Sequence, residues 1–499
     1  MKYVIGIDLG TSAVKILLVN QHGEVAQEVT KPYPLIQEKS GYSEQNPQIW
    51  VDQTISGLSD LLQYFEGDVQ NIEGISFSGQ MHGLVLLDEN RQVLRNAILW
   101  NDTRTTEECQ EIYARVGKQR LLKITKNLAL DGFTLPKILW VKNKEPEIFN
   151  QAKTFLLPKD YVRYKLTGKI GMDYSDAAGT LLLNISEKQW SKEICNLLDI
   201  NGDLCPPLVE SSQEVGCLSS EVAYATGLSS TTRIFAGGAD NACGAIGAGI
   251  LEDGKTLVSV GTSGVVLSYE ETNNKDFQGR VHYFNHGAPN AFYTMGVTLA
   301  AGHSLTWFKQ VFAKEEEFDE LLRDINDVPI GSNGLMFAPY ISGERTPHVD
   351  AAIRGSFIGM DSSHERKDFV RAILEGITFS LHESVEIFRE NGKNIDIIIS
   401  IGGGAKNEVW LQMQADIFNA RIIKLHSEQG PGMGAAMLAA YGCGWFSTLK
   451  ECADEFLMAE RSYYPKPENV QKYKRLYQLY KKIYPATVLL NNELMEFRN

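Results

Sequence analysis

The chain is poor in the features that tie a protein to a membrane, an oxidising compartment or a nucleic acid. Its 499 residues hold seven cysteines (Cys109, Cys195, Cys205, Cys217, Cys243, Cys443 and Cys452), an odd, scattered set with no C-x-x-C pair. Such a set is neither a disulfide framework nor a zinc site, and it fits a reducing cytoplasm. No apolar run approaches the roughly 18 residues of a membrane span. Asp8 interrupts the apolar start MKYVIGIDLGTS before a signal-peptide core is complete. Positive charge is in deficit: 48 Lys and Arg face 62 Asp and Glu, a net charge of −14. That balance argues against a surface built for phosphate backbones or anionic lipid. H-E-x-x-H and G-x-S-x-G are missing as well, so metalloprotease and serine-hydrolase chemistries have no footing.

What is present is an ordinary globular composition, 43% hydrophobic, on a chain too long for one core. Single cores stop growing near about 250–300 residues, so roughly two to four domains are expected. The opening predicts three strands, Lys2–Leu9, Ala13–Val19 and Glu24–Val29, the last two joined by a turn at Asn20–Gly23. Gly74–Gly79 (GISFSG) and Asn96–Trp100 (NAILW) read as further strands, Gln110–Leu122 and Pro136–Lys144 as helices. The mixture is an α/β layout. Small residues crowd Ala236–Ile250 (AGGADNACGAIGAGI), either a domain seam or a tightly packed helix after a turn. Past it the opening recurs. Val258–Gly264 (VSVGTSG) mirrors Ile5–Ser12 (IGIDLGTS), each a β-branched strand ending in Gly-Thr-Ser and followed by another strand. A third strand of the second copy is expected at Arg280–Phe284. The repeat predicts two domains of similar design, residues 1–245 and 246–499. Near the end, Tyr473, Tyr477, Tyr480 and Tyr484 share one face of a helix predicted over Val470–Tyr484. That stripe is expected to dock on the body and leave the interleaved lysines in water, rather than to bind nucleic acid.

Three glycine-bearing turns follow strands: Asp8–Ser12 (DLGTS), Gly261–Gly264 (GTSG) and Gly402–Asn407 (GGGAKN). Turns of this kind aim consecutive N–H groups and hydroxyls at one point, as a phosphate requires; none of the three has Walker A or G-x-G-x-x-G spacing. Three together, two of them matched across the seam, favour a polyphosphate held between two domains. The third follows the strand Asn394–Ile401 and precedes a helix from Glu408 that carries Trp410, Met413 and Ile417 on one side. It suits a nucleotide lying against backbone, or a plain strand-to-helix connection. Asp8 offers an oxygen to a hard cation bridging phosphates, or caps its turn; Gly261 has no carboxylate beside it, as a single metal position would require. Asp240, in Gly237–Asn241 (GGADN), suits a base taking the proton of a hydroxyl that attacks phosphorus, or a helix N-cap. His82, in the loop Gln80–Gly83, and the polar cluster Trp100–Arg104 suit a pocket for a polyhydroxylated ligand.

Taken together the strings resemble the FGGY carbohydrate kinases. They are IGIDLGTSAVK (Ile5–Lys15), YSEQNP (Tyr42–Pro47), SGQMHG (Ser78–Gly83), ILWNDTR (Ile98–Arg104), LLPKDY (Leu156–Tyr161), DYSDAAGT (Asp173–Thr180) and GGADNACGAIG (Gly237–Gly247). VGTSG (Val260–Gly264), PYISGERTPH (Pro339–His348), LEGITF (Leu374–Phe379), IGGGAKN (Ile401–Asn407) and GPGMGAA (Gly430–Ala436) follow. The Met-His-Gly loop and the W-N-D-x-R string are similar to the D-xylulose branch of that family rather than to its glycerol or gluconate branches. The resemblance implies two actin-like (ribonuclease H-like) α/β domains with an interdomain cleft, sugar mainly on the first and MgATP mainly on the second. It implies ATP-dependent phosphorylation of D-xylulose to D-xylulose 5-phosphate, with Asp240 as base and Asp8 placing Mg2+. Gly10, Thr11 and Ser12 with Gly261, Thr262 and Ser263 would surround the phosphates, and Gly403, Gly404 and Asn407 would lie by the adenosine. Met81, His82, Trp100, Asp102 and Asn241 would shape the sugar site. Ala239 stands where a third glycine is expected, and its methyl is expected to tighten the turn. The family often dimerises, so a homodimer with no nucleic-acid or membrane partner is expected. Two other readings stand beside this one: a kinase for ribulose, L-xylulose or a related polyol, and a non-catalytic ATP-binding interaction protein of the same architecture.

Overall fold

The β-branched runs assemble into two seven-stranded mixed sheets in a computed structural model that describes residues 1–498. The first sheet gathers β1 (Tyr3–Leu9), β2 (Ala13–Asn20), β3 (Val25–Pro32), β4 (Ile72–Gly79), β5 (Glu214–Cys217), β6 (Arg233–Phe235) and the short β7 (Gly238–Ala239). Its order is β5-β6-β4-β1-β2-β3, with β7 paired to the end of β4. The second gathers β8 (Gly254–Val260), β9 (Gly264–Glu270), β10 (His282–Asn285), β11 (Phe292–Thr298), β12 (Ile395–Gly402), β13 (Arg421–Leu425) and β14 (Ala459–Tyr463). Its order is β10-β11-β9-β8-β12-β13-β14.

The repeat seen as three residues in the sequence extends to the whole sheet. β1 pairs antiparallel with β2 and parallel with β4; β8 pairs antiparallel with β9 and parallel with β12. Each sheet closes on its parallel side with an antiparallel edge strand, β5 or β14. The further strand expected at Arg280–Phe284 is β10, His282–Asn285, and it pairs on the outer edge of β11, which takes the place next to β9 in the sheet. Only Ala97 and Ile98 of the expected strand Asn96–Trp100 are extended in a ladder. The expected helix Gln110–Leu122 is two helices, Thr106–Arg115 and Lys118–Thr125, because Gly117 takes φ +85° between them.

The tyrosine stripe docks as expected over three of its four members. Tyr473, Tyr477 and Tyr480 are buried on the helix Pro467–Tyr480, and their hydroxyls reach Glu375 (3.1 Å), Glu386 (2.9 Å) and the Tyr340 hydroxyl (3.1 Å). The helix ends at Tyr480, so Tyr484 belongs to the next one, Ile483–Leu494, and stacks on His348 with ring centroids 3.7 Å apart. No helix among the described residues is long and apolar enough to cross a membrane.

At the seam, the helix Asp240–Gly247 crosses the helix Gly430–Gly442, and the latter lies against the first sheet. The division expected between residues 245 and 246 falls inside the first of these helices. The three elements meet backbone to backbone. A Cβ on Gly434 would stand 1.8 Å from the Cys243 carbonyl oxygen, one on Gly247 2.5 Å from that of Gly430, and one on Gly6 2.1 Å from that of Gly432. Gly434→Ala is therefore expected to force the helices apart and to destabilise by about 1–3 kcal/mol or more, read as a lower thermal midpoint. Gly202→Ala, whose methyl meets nothing within 4 Å, is expected to leave that midpoint in place.

Candidate active site

Two cavities share one turn, one lined by both halves of the chain and the other by the second half alone. The first, about 210 Å³, is lined by Met81, His82, Trp100, Phe133, Asp240 and Asn241 from the first half, and by Ser263, His282, Phe284 and Arg345 from the second. The other, about 290 Å³, is bounded by Gly261, Thr262, Gly302, Phe318, Gly403, Gly404, Asn407 and Trp410. The turn between β8 and β9 thus gives Gly261 and Thr262 to one cavity and Ser263 to its neighbour. A larger groove of about 730 Å³ lies elsewhere, beside the helices Glu408–Phe418 and Pro467–Tyr480. There Asp416 is already committed to Lys466 N (2.8 Å) and Asn469 Nδ2 (2.8 Å).

His82 sits in the loop after β4 with φ +68°, a conformation uncommon outside glycine and asparagine. The loop holds it there from both sides. Its Nδ1 lies 2.6 Å from the Gly179 carbonyl oxygen, which can only accept, so Nδ1 carries the proton and Nε2 is left as an acceptor. Its own carbonyl accepts from the Thr134 hydroxyl at 3.1 Å. Burial, then the Lys137 ammonium, pushes its pKa down to about 3, so the ring is neutral. Met81, beside it, receives Asn241 Nδ2 on its sulfur at 3.5 Å. Trp100 is 41% exposed at the cavity mouth, and its indole N–H donates to the Thr11 hydroxyl at 2.9 Å.

Asp240 is the first residue of its helix, and Ala239, with φ −55°, occupies the N-cap. The Asp240 carboxylate accepts from Asn241 N (2.7 Å) and Asn241 Nδ2 (3.0 Å). Burial pushes its pKa up to about 7, helped by the charge of Asp8 and opposed by the Asn241 hydrogen bonds. The conformation at Ala239 does not need a glycine, and its methyl is buried in the core. Gly237, two residues earlier, does need one: it has φ +79°, and a Cβ would lie 2.2 Å from the Phe77 carbonyl oxygen.

Asp8 closes the C-terminal half of β1. Burial raises its pKa to about 6, against the Ser78 hydroxyl and the charge of Lys15. Lys15, opposite it in the β1–β2 ladder, turns to Gln429 (2.7 Å) and Glu28 (3.2 Å) instead. Asp8 therefore has no salt-bridge partner among the described residues, and a hard, recessed oxygen donor of this kind fits a divalent cation carried by a polyphosphate. Gly10, Thr11 and Ser12 follow it in a turn closed by Gly10 N to Ala13 O at 3.0 Å. That turn lines neither cavity and joins the wall only through Thr11 and Trp100.

The three-glycine turn lies flat on the end of β8. Gly402 has φ +80°, and a Cβ on Gly404 would stand 2.7 Å from the Val260 side chain. Asn407 caps the helix Glu408–Phe418 by accepting from Trp410 N at 3.0 Å. Asp102 stands apart from the cavities. Its carboxylate accepts from Ser43 N (2.6 Å) and from Arg104 Nη2 (2.6 Å), and it fixes the Trp100 loop from behind. A further glycine string, Gly249–Thr256 (GILEDGKT), has Walker A spacing. It runs into β8 with no helix after it, and Lys255 pairs with Glu252 at 2.9 Å, so it lacks the strand-to-helix setting of a P-loop. Phe133, His282, Phe284 and Arg345 escaped sequence reasoning. Only Arg345 had a signal, inside the string PYISGERTPH; the aromatic residues come from loops and a strand far apart in the chain.

The model of the FGGY family of carbohydrate kinases, N-terminal domain, matches residues 3–247, and the corresponding C-terminal domain model matches residues 256–443. The chain is 64% identical over 498 residues to "Xylulose kinase" of Bacillus subtilis (strain 168), covering 100% of both chains. The crystal structure of a ligand-bound xylulose kinase from Lactobacillus acidophilus superposes with a TM-score of 0.94 at 30% identity, over 99% of this chain and 100% of that one. A gluconate kinase from the same organism superposes equally well, TM-score 0.94 at 30% identity over 99% of each chain.

Burial, the first cause in both cases, holds His82 and His282 near a pKa of about 3. Their 15N imidazole resonances are expected to stay in the neutral pattern between about pH 8 and about pH 5, where an ordinary histidine titrates. A charged pattern for His82 at pH 5 would mean that water reaches the ring.

Proposed function

The chain belongs to the FGGY family of carbohydrate kinases, and within it we propose that the protein transfers the γ-phosphoryl group of ATP to the 5-hydroxyl of D-xylulose, giving D-xylulose 5-phosphate and ADP. The observation that carries this reading is the shared turn: Gly261–Ser263 has the glycine-rich cavity on one side and the cavity of Asp240 and His82 on the other. Because a gluconate kinase shares the fold as fully as a xylulose kinase, the choice of sugar rests on the full-length relative at 64% identity.

In this reading Asp240 accepts the proton of the sugar hydroxyl as its oxygen attacks the γ-phosphorus and the bond to the β-phosphate oxygen breaks. A carboxyl poised near neutrality is matched to that task. Asn241, bound to Asp240, and the neutral acceptor Nε2 of His82 orient the sugar's hydroxyls. The N–H groups and hydroxyls of Gly261, Thr262 and Ser263 face the phosphates, Gly10, Thr11 and Ser12, which line neither cavity, would approach them from the first half, and Gly403, Gly404 and Asn407 border the nucleoside. Asp8 would hold Mg2+, which when bound neutralises charge on the phosphate oxygens. Mg2+ as the ion accompanying ATP, a homodimer and a cytoplasmic setting, which the unpaired state of all seven cysteines favours, belong to the same proposal.

ADP release with MgATP across ketoses and polyols tests the reaction. A large rise with D-xylulose over a no-sugar blank is expected. A rise with ribulose, L-xylulose or a polyol alone would move the substrate, and no rise despite ATP binding would favour a non-catalytic ATP-binding protein. Asp240→Ala is expected to remove phosphorylation while ATP affinity stays within about twofold, since the side chain lies outside the glycine-rich cavity. His82→Ala is expected to raise KM for the sugar by about tenfold or more with KM for ATP little changed. With the Asp240 carboxyl held up to about 7, kcat/KM is expected to fall roughly tenfold per pH unit below about pH 7, as protonation removes the base. A flat profile down to pH 5 would assign the proton elsewhere.

A further inference from the structure

Directly behind the Asp240 turn lies an ion cluster with no access to water. Lys159 Nζ stands 2.7 Å from Asp160, 2.7 Å from Asp173 and 2.9 Å from Asp176, and Arg163 stands 2.9 Å from Asp160. Burial alone would discharge Lys159, yet the three carboxylates hold its ammonium charged. That ammonium fills the space between the three acids, so they do not form an open cation site. Buried ions of this number stabilise a fold poorly compared with apolar packing, and what they touch is more informative than their mutual attraction.

They touch both ends of the segment that delivers Asp240. Arg163 Nη1 donates to the Ala236 carbonyl at 2.7 Å. At the other end, Asp173 Oδ2 takes the Ser175 hydroxyl proton at 2.5 Å and the Ser211 hydroxyl proton at 2.9 Å. A serine hydroxyl has one proton. With that proton committed to Asp173, the Ser175 oxygen is left to accept, and it receives the Ala239 N–H at 2.9 Å. Ala239 is the residue before Asp240. Between the two clamps, Gly238 and Ala239 pair with Ser78 and Gly79 on β4.

We propose that Ser175 is a positioning residue for phosphoryl transfer: anchored through Asp173 to Lys159, it fixes the Ala239 amide and so the direction in which Asp240 presents its carboxylate to the sugar. The inference rests on the reading of Asp240 as base, and its test separates the two. Ser175→Ala removes one oxygen and leaves all five ionisable side chains of the cluster in place. A misplaced catalytic group costs up to about a hundredfold in rate, so kcat is expected to fall about ten- to a hundredfold, with KM for D-xylulose and for ATP within about twofold. Ser211→Ala takes a donor from the same Asp173 oxygen without touching Ala239. It is expected to shift the thermal midpoint about as much as Ser175→Ala while keeping kcat within about twofold. If the alanine variant does not fold, Ser175→Cys, similar in size and a weaker acceptor, is expected to show the same loss of kcat. Equal losses of kcat in the Ser175 and Ser211 variants, or full kcat without the Ser175 hydroxyl while Asp240→Asn is inactive, would overturn the positioning role alone. An active Asp240→Asn would overturn the base and the positioning role together.

Discussion

The contact on which the rest depends is between two stretches of bare backbone, where the helices Asp240–Gly247 and Gly430–Gly442 cross with Gly434 facing the Cys243 carbonyl. No side chain fits between them, so helix separation is set by main-chain van der Waals radii rather than by adjustable rotamers. The same packing presses Gly432 onto Gly6 of β1. Asp8 is two residues further along that strand, and Asp240 begins the first of the crossing helices. One dry, rigid junction therefore fixes how far apart the two carboxylates lie and what dielectric they share. Desolvation raises both of their pKa values, and the charge of Asp8 adds to the shift at Asp240.

Around this junction the chain spends buried charge where position counts. The Lys159 cluster and the Asp102–Arg104 pair have the same form: a carboxylate enclosed by donors, one step behind a loop that reaches a cavity. Asp102 holds the loop of Trp100, and Asp173 holds the turn of Asp240. Apolar side chains would fill either volume as well, but they would not fix the direction of an amide or a hydroxyl. The imidazoles follow the opposite strategy. His82 and His282 are kept neutral by burial, so the Asp240 cavity has hydrogen-bond acceptors without a fixed positive charge from its histidines.

Much of this was legible in the sequence where chemistry depends on local spacing. The paired turns after β1 and β8, the small-residue seam and the three-glycine turn are all local events, and each marked its place. The strand β11 was not foreseen, because FYTMGVT has no flanking turn signal stronger than that of the preceding run, and only pairing with β9 settles which of the two continues the sheet. The break at Gly117 is hidden in the sequence because the residues on both sides of it are helical, Thr106–Arg115 and Lys118–Thr125. Phe133, Phe284 and Arg345 reach one cavity from elements with no sequence relationship, so tertiary structure alone unites them. Asp102 and Ala239 differ in kind. Whether a carboxylate points into a cavity or a methyl crowds a turn depends on neighbours distant in the chain, Ser43 for Asp102, and Ser175 and Gly79 for Ala239.

The half-exposed indole of Trp100 gives the chain an optical label of its own. Of the other six tryptophans, Trp50 is shut in the core and Trp140 nearly so, Trp410 borders the glycine-rich cavity, and Trp190, Trp307 and Trp445 are half-buried away from both cavities. Trp100 stands at the mouth of the Asp240 cavity with its N–H on Thr11, in the Gly10–Ser12 turn of the same half. A guest that dries the ring, or a movement that breaks the bond to Thr11, changes the polarity around a single fluorophore. Occupancy of the cavity is therefore expected to move the Trp100 share of the intrinsic emission of the unmodified chain, on the time scale that stopped-flow reads.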